Sequence, residues 1–184
     1  MPHLRLEVPE EWLAEEFVRE TGFDARALLD HLVEVVTSLR MENAAIEARR
    51  QQIRAASGDA DAVVSDEEAR RDVTGQPIEP VEVALINRSN LKHALVPVVD
   101  SGVGGDHAKG FLHLTFSAGN DKPGRTAAVR RRAAETLGNA IDSFVGELDG
   151  LGSVTVHVLD INRDRGYSTT AERRKKREAL AGSP

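Results

Sequence analysis

Apolar and polar residues alternate at three places along the chain, and between these places run stretches where apolar residues recur every three or four positions. Over residues 2–8, Pro2, Leu4, Leu6 and Val8 fall on one side and His3, Arg5 and Glu7 on the other. A period of two is that of a strand with one dry and one wet face. The stretch PEEWLAEEF then reads as a short helix opened by Pro9, whose missing N–H costs nothing at a first helical position. GFDARALLDHLVEVVTSLR follows as a stronger helix, capped by Asp24, with Leu28, Leu29, Leu32, Val33, Val36 and Leu39 as its buried stripe.

Beyond Arg40 the pattern weakens. Residues 41–80 are rich in Ala, Glu, Arg and Asp and hold few large apolar side chains, so they read as a solvated helical extension followed by a loop that Pro77 and Pro80 end. VEVALIN and HALVPVV are strand material separated by the turn-prone NRSN. GFLHLTF is the second clear alternation, with Leu112, Leu114 and Phe116 opposite Phe111, His113 and Thr115. After the loop SAGNDKPG comes a helix with the stripe Val129, Ala133, Leu137, Ile141, Phe144 and Leu148. The third alternation, SVTVHVLDI, sets Val154, Val156 and Val158 against Thr155 and His157.

This order predicts an α/β (α+β) protein: two β-α-β repeats forming one sheet with helices on one face. The expected organisation is one domain over residues 1–162, carrying the charged insertion at about 41–80, and a basic tail over 163–184. The sheet's other face is polar and regular. It either faces solvent or lines the interior of an oligomer.

Composition narrows the chemistry. Of 184 residues 40% are hydrophobic and 29% charged, ordinary for a globular protein, and the formal charge of −6 argues against general affinity for nucleic acid. No cysteine is present, which excludes disulfides, thiolate metal sites and cysteine nucleophiles. No run approaches the roughly 20 apolar residues of a membrane span, and the N-terminus lacks a basic-then-apolar signal pattern; the expectation is a cytoplasmic protein without a membrane partner.

One residue stands out. Proline directly after the initiator methionine permits methionine removal, and Pro2 then becomes a free secondary amine at the head of a strand. A terminal amine titrates at about 7.7–8.0, far below the ~10.4 of lysine, and burial beside cations lowers it further. Such a group can act as a base at neutral pH. Arg125, in PGRTA just before the second long helix, is unfavourable to the helix dipole there, which favours a functional reason for it.

Other features read more plainly. His3, His113 and His157 lie on the polar faces of their strands, and hydrogen-bonded or solvated roles are expected for them before a metal site. Asp106 and His107, in the glycine-rich SGVGGDH, lack the ending of a phosphate loop and suit a hairpin turn. The tail's ERRKKRE and the segment AAIEARRQQIRAA read as solvated helix rather than as partner surfaces.

Taken together, MPHLRLEV, GGDHAKGFLHLTF with AGNDKPGR, and VTVHVLDIN resemble the 5-carboxymethyl-2-hydroxymuconate isomerases of the tautomerase superfamily. The resemblance spans about two thirds of the chain and leaves residues 41–80 and the tail without counterparts. It implies a homotrimer with sheets inside and helices outside, and an isomerase active in aromatic catabolism without any cofactor. It also implies a terminal proline as acid/base and arginines holding a small anionic substrate. Matched position by position, Pro2 falls on the catalytic proline and Arg125 on a glycine-arginine motif. The second cation is Lys92 with one gap in the alignment, or Arg88 if the NRSN turn is shifted. His113 completes the candidate substrate-binding set.

The same framework suits a hydratase, dehalogenase or decarboxylase in which a protonated Pro2 acts as the acid. It also suits a catalytically inactive trimeric binding protein that uses the insertion or the tail as its contact surface.

Overall fold

The structure, a computed structural model, describes residues 2–59, 61–99, 109–119 and 127–161. The first alternation is strand β1, His3–Pro9, with Leu4, Leu6 and Val8 buried and His3, Arg5 and Glu7 on the open side. The strand runs through Pro9, so this proline ends β1 instead of opening a helix. A 3-10 turn at Glu10–Leu13 follows, and helix α1 comes only at Glu15–Thr21. The cause is Trp12, buried beneath the turn, which stacks on Phe17 at 5.4 Å and meets Phe23 edge-on at 5.7 Å. Gly22, at φ 73°, ends α1 in the left-handed region that glycine adopts without strain.

Helix α2, Ala25–Ser38, begins as its sequence requires, with the Asp24 carboxylate accepting from the backbone amides of Arg26 and Ala27 at 2.8 and 3.3 Å. Leu28, Leu29, Leu32, Val33 and Val36 form its buried stripe. The helix does not extend into the charged segment. Leu39 turns extended, Arg40–Glu42 form a short strand, β2, and Asn43 caps a separate helix, α3, at Ala44–Ser57. A short helix α4, Asp66–Ala69, follows.

The expected strand VEVALIN is mostly something else. Only Glu82–Ala84 are extended, as β3, and they pair antiparallel with β2 in a two-stranded sheet apart from the main one. Leu85 and Ile86 then turn into the core, and NRSN contributes a 3-10 turn at Arg88–Asn90. The physical reason is length: three residues pair with β2, and the apolar pair after them is worth more buried, at about 1.5–3 kcal/mol per large side chain.

The main sheet holds β4 (Lys92–Val98), β1, β5 (Gly110–Gly119) and β6 (Leu151–Ile161), in the order β4-β1-β5-β6. The β1/β4 and β5/β6 pairs are parallel, and β1 and β5, at the centre, are antiparallel. Each parallel pair is bridged by a helix, α2 in the first half and α5, Ala127–Val145, in the second. The sheet is therefore two β-α-β units joined back to back. Leu4, Leu6, Leu112, Leu114 and Phe116 pack from it against Leu28, Leu32, Leu137 and Ile141 of the helices.

One register in α5 differs from its expected stripe. Val145 is buried at the helix end, whereas Phe144 is 37% exposed and packs its ring on His31 at 5.8 Å and edge-on to Phe23 at 6.4 Å. Leu148 lies past the helix end and still packs partly buried against the core. Among the described residues no helix is long and apolar enough to cross a membrane.

Candidate functional site

Pro2 sits at the open end of β1, half-buried, immediately before the strand begins. Its carbonyl accepts a hydrogen bond from the backbone amide of Lys92 at 3.1 Å, which ties it to the first residue of β4. On the other side of β1, His3 pairs with Ser117 and Leu4 with Phe116, so the next position sets Pro2 beside Ala118. Directly opposed residues in such a pair have Cβ atoms about 5 Å apart. Alternation puts Pro2 on the same face as Leu4 and Phe116, the face that the helices cover.

A narrow apolar cleft opens at this place. Phe116 and Ala118 of β5, Val129 and Ala133 of α5, Val158 of β6 and Leu85 from beyond β3 line it. Arg130, in the first turn of α5, belongs to the same lining. Arg125 lies outside the described residues. Its place in the chain, two positions before α5, adjoins the helical turn that supplies Val129 and Arg130.

The other candidates are distributed unequally. Lys92 is exposed and pairs in register with His3, and so shares the open face of the sheet at Pro2's end. His3 there is held below its ordinary value of 6.5, first by burial and then by nearby positive charge, that of Lys92 included. Arg88 is instead drawn to α2, where its guanidinium forms an exposed ion pair with Glu34.

His113 lies elsewhere. It pairs in register with Glu7, five residues along β1 from Pro2, or roughly 16 Å at ~3.3 Å per residue, and on the opposite face. Its Nδ1 is 3.1 Å from a Glu7 carboxylate oxygen, and its Nε2 is 3.3 Å from Nδ1 of His157. With Nδ1–H donating to Glu7, the bare Nε2 accepts from His157. Arg5 completes the chain with a 2.8 Å ion pair to Glu7. Within one chain the Lys92 backbone meets the Pro2 carbonyl, while the Lys92 side chain shares the open face with His3; His113 and Arg88 lie apart from Pro2. Among the described residues no group of histidines and carboxylates is arranged to hold a metal ion. Asp106, His107 and the basic tail also lie outside the described residues.

Leu85, Val129 and Arg130 were not legible as site residues. Leu85 belongs to a segment that reads as a strand of the main sheet, and Arg130 is one of three consecutive arginines with nothing local to single it out.

An α/β sheet of two joined β-α-β units, with a proline at the head of a central strand beside an apolar cleft, defines the class: the tautomerase fold. In particular, a crystal structure of 5-carboxymethyl-2-hydroxymuconate delta-isomerase matches with a TM-score of 0.53 and 16% identity, over 92% of this chain and 87% of that one. Pt0534 inactivated by 2-oxo-3-pentynoate matches at 0.49 and 12% identity, over 92% of this chain and 93% of that one. A 5-carboxymethyl-2-hydroxymuconate isomerase from Deinococcus radiodurans R1 matches at 0.43 and 15% identity, over 95% and 93%. No protein-family model matches the chain. No curated protein matches it.

Proposed function

We propose that this protein is a cofactor-independent tautomerase that isomerises a small unsaturated, 2-hydroxymuconate-like carboxylate, with Pro2 as the acid/base. The observation that carries the reading is the position of Pro2, at the head of a central strand, beside the cleft of Ala118 and Phe116 and tied to Lys92.

The chemistry needs one movable proton. The amine lone pair of Pro2 takes the proton of the substrate's enol hydroxyl, the electron pair shifts along the conjugated chain, and the ammonium returns the proton to a distal carbon. Bonds and charge balance without an outside reactant. A terminal amine at about 7.7–8.0 is already poised for this, and cationic neighbours such as Lys92 lower it further. Arg125 and Lys92 hold the carboxylate and the developing enolate by charge-assisted hydrogen bonds. The like fold of a 5-carboxymethyl-2-hydroxymuconate delta-isomerase supports the choice of reaction.

The open face of the sheet, with His3, Arg5, Glu7, His113 and His157, packs in this reading against other copies in a homotrimer. Sedimentation equilibrium is expected to give three times the chain mass.

The reading is tested on one sample. Intact mass is expected to show loss of Met1, and the same protein is expected to convert 2-hydroxymuconate. Pro2→Ala is expected to fold and to lose most of this turnover. Retained methionine, or full turnover in the Pro2→Ala protein, would overturn the role of Pro2.

A further inference from the structure

Leu85 reaches the cleft from the part of the chain that the two β-α-β units do not need. It follows β3, its backbone amide donates to the carbonyl of Leu39 at 2.9 Å, and its side chain is 4% exposed. The segment behind it is pinned from several directions. The amide of Asn43 donates to the carbonyl of Val81 at 2.8 Å, and the Asn43 side-chain nitrogen donates to that of Pro80 at 2.9 Å. The Arg132 guanidinium of α5 donates to the carbonyl of Arg40. The end wall of the cleft is therefore held by main-chain and arginine hydrogen bonds.

With Leu85 in place, the space left between it, Phe116, Ala118 and Val158 is about that of one water molecule. A planar ring cannot enter. Ala118, on this lining, is the position that the register sets beside Pro2.

We propose that Leu85 is a specificity-determining residue for the Pro2 site: the segment after β3 closes the cleft with this side chain, so that linear unsaturated acids are accepted and aryl-bearing ones are refused. The proposal rests on the reading of Pro2 as the reacting group. It also gives the insertion a task, which is to hold one leucine at the end of the cleft. Cavities made by truncating buried apolar side chains stay dry and take up a benzene ring, so shortening Leu85 creates the place that an aryl group lacks. Discrimination by a single methylene in an apolar pocket is on the order of 10- to 200-fold.

The experiment is equilibrium binding by titration calorimetry, with trans,trans-muconate as the linear probe and phenylpyruvate as the aryl probe, to the full chain and to Leu85→Ala and Leu85→Met. The wild type is expected to favour muconate by on the order of ten-fold or more. In Leu85→Ala the ratio of affinities is expected to move toward phenylpyruvate by a similar factor. Leu85→Met, of nearly the same volume, is expected to keep the wild-type ratio. Should Leu85→Ala fail to fold, Leu85→Val carries the same test with a smaller shift. A ratio unchanged in the folded alanine or valine variant, or moved equally by methionine, overturns the proposal. Binding is read without turnover, so the two readings fail separately. A shifted ratio alongside a fully active Pro2→Ala protein removes the acid/base reading and leaves the filter, and an unchanged ratio with an inactive Pro2→Ala protein removes the filter alone.

Discussion

The backbone amide of Lys92 donates to the carbonyl of Pro2 across 3.1 Å, which joins the two strands of the first β-α-β unit at their first rung. A proline within a chain has no N–H to give a neighbouring strand, so the carbonyl is the group that anchors Pro2 to β4.

Substitution separates the two candidate second cations. Lys92→Ala keeps the backbone bond and removes the ammonium, and kcat/KM for the anionic substrate is expected to fall by roughly 10- to 100-fold, mostly through KM, as for loss of a hydrogen bond to a charged group. Arg88→Ala is expected to change kcat/KM less than about two-fold, because its guanidinium already serves Glu34. Its stability is expected to change by about 0.5 kcal/mol or less, the usual worth of an exposed pair. A larger catalytic effect at Arg88 than at Lys92 would reverse the assignment.

His3 makes stability depend on pH with a definite sign. Its folded value lies below 6.5, chiefly through burial and then through the nearby positive charges. The unfolded chain therefore takes up the proton first. Above about 6.5 the group is neutral in both states and contributes nothing. As pH falls from there toward the folded value, stability is lost, and below that value the loss stops growing. Urea titrations of the wild type between pH 7.5 and 5 are expected to show this decline, and His3→Asn is expected to flatten it. An equal slope in both proteins would remove His3 as its source.

Gly110 is held small by its neighbours. A methyl group there would lie 2.5 Å from the Trp12 ring and 2.7 Å from the Pro9 ring. Both belong to the packed turn after β1, so neither can move freely. Gly110→Ala is expected to lose about 1–3 kcal/mol, as overpacking does. Gly138, inside α5, is the contrast: the nearest atom to an added methyl is 4.0 Å away, on Val156. Gly138→Ala is expected to gain about 0.5–1 kcal/mol from helix propensity. Thermal melts of the pair read both signs, and a neutral Gly110→Ala would show that the turn yields.

Arg50 organises the insertion. Its guanidinium pairs with Glu42 of β2, Asp66 of α4 at 2.7 Å and, more distantly, Glu47 of its own helix at 3.7 Å. Arg50→Met is expected to speed amide exchange across α3 and α4 by on the order of ten-fold while leaving the main sheet unchanged. The Arg50 hydrogen bond also lowers the Asp66 carboxyl below its ordinary 3.8. Its contribution is therefore full above about pH 4 and lost as pH falls through the lowered value. Uniform acceleration over the whole chain would mean that the insertion is not a separate unit.

Much of the framework was legible locally. The alternation at residues 2–8 and 110–116, the Asp24 cap and the α2 stripe each depend on neighbours within a few positions, and each forms as its pattern requires. The order of strands and helices then leaves few ways to make one sheet, and the tautomerase fold follows. A proline at position 2, before the first alternation, was legible too.

Tertiary contact decided the rest. The segment after Arg40 has too few apolar residues to reveal a separate helix, and its break at Leu39 comes from the pairing of β2 with β3, in which Met41 meets Val83 from far along the chain. Leu85 looks like strand material because alternation shows which residues are apolar and not which surface will receive them. His113 could be placed on a face but not at a distance from Pro2, because strand register is set by pairing and a face recurs every second residue. The sequence by itself determined the period of each element and the place of Pro2 before the first strand. Only the packed structure decided which segments meet beside it, because those meetings join segments that share no local pattern.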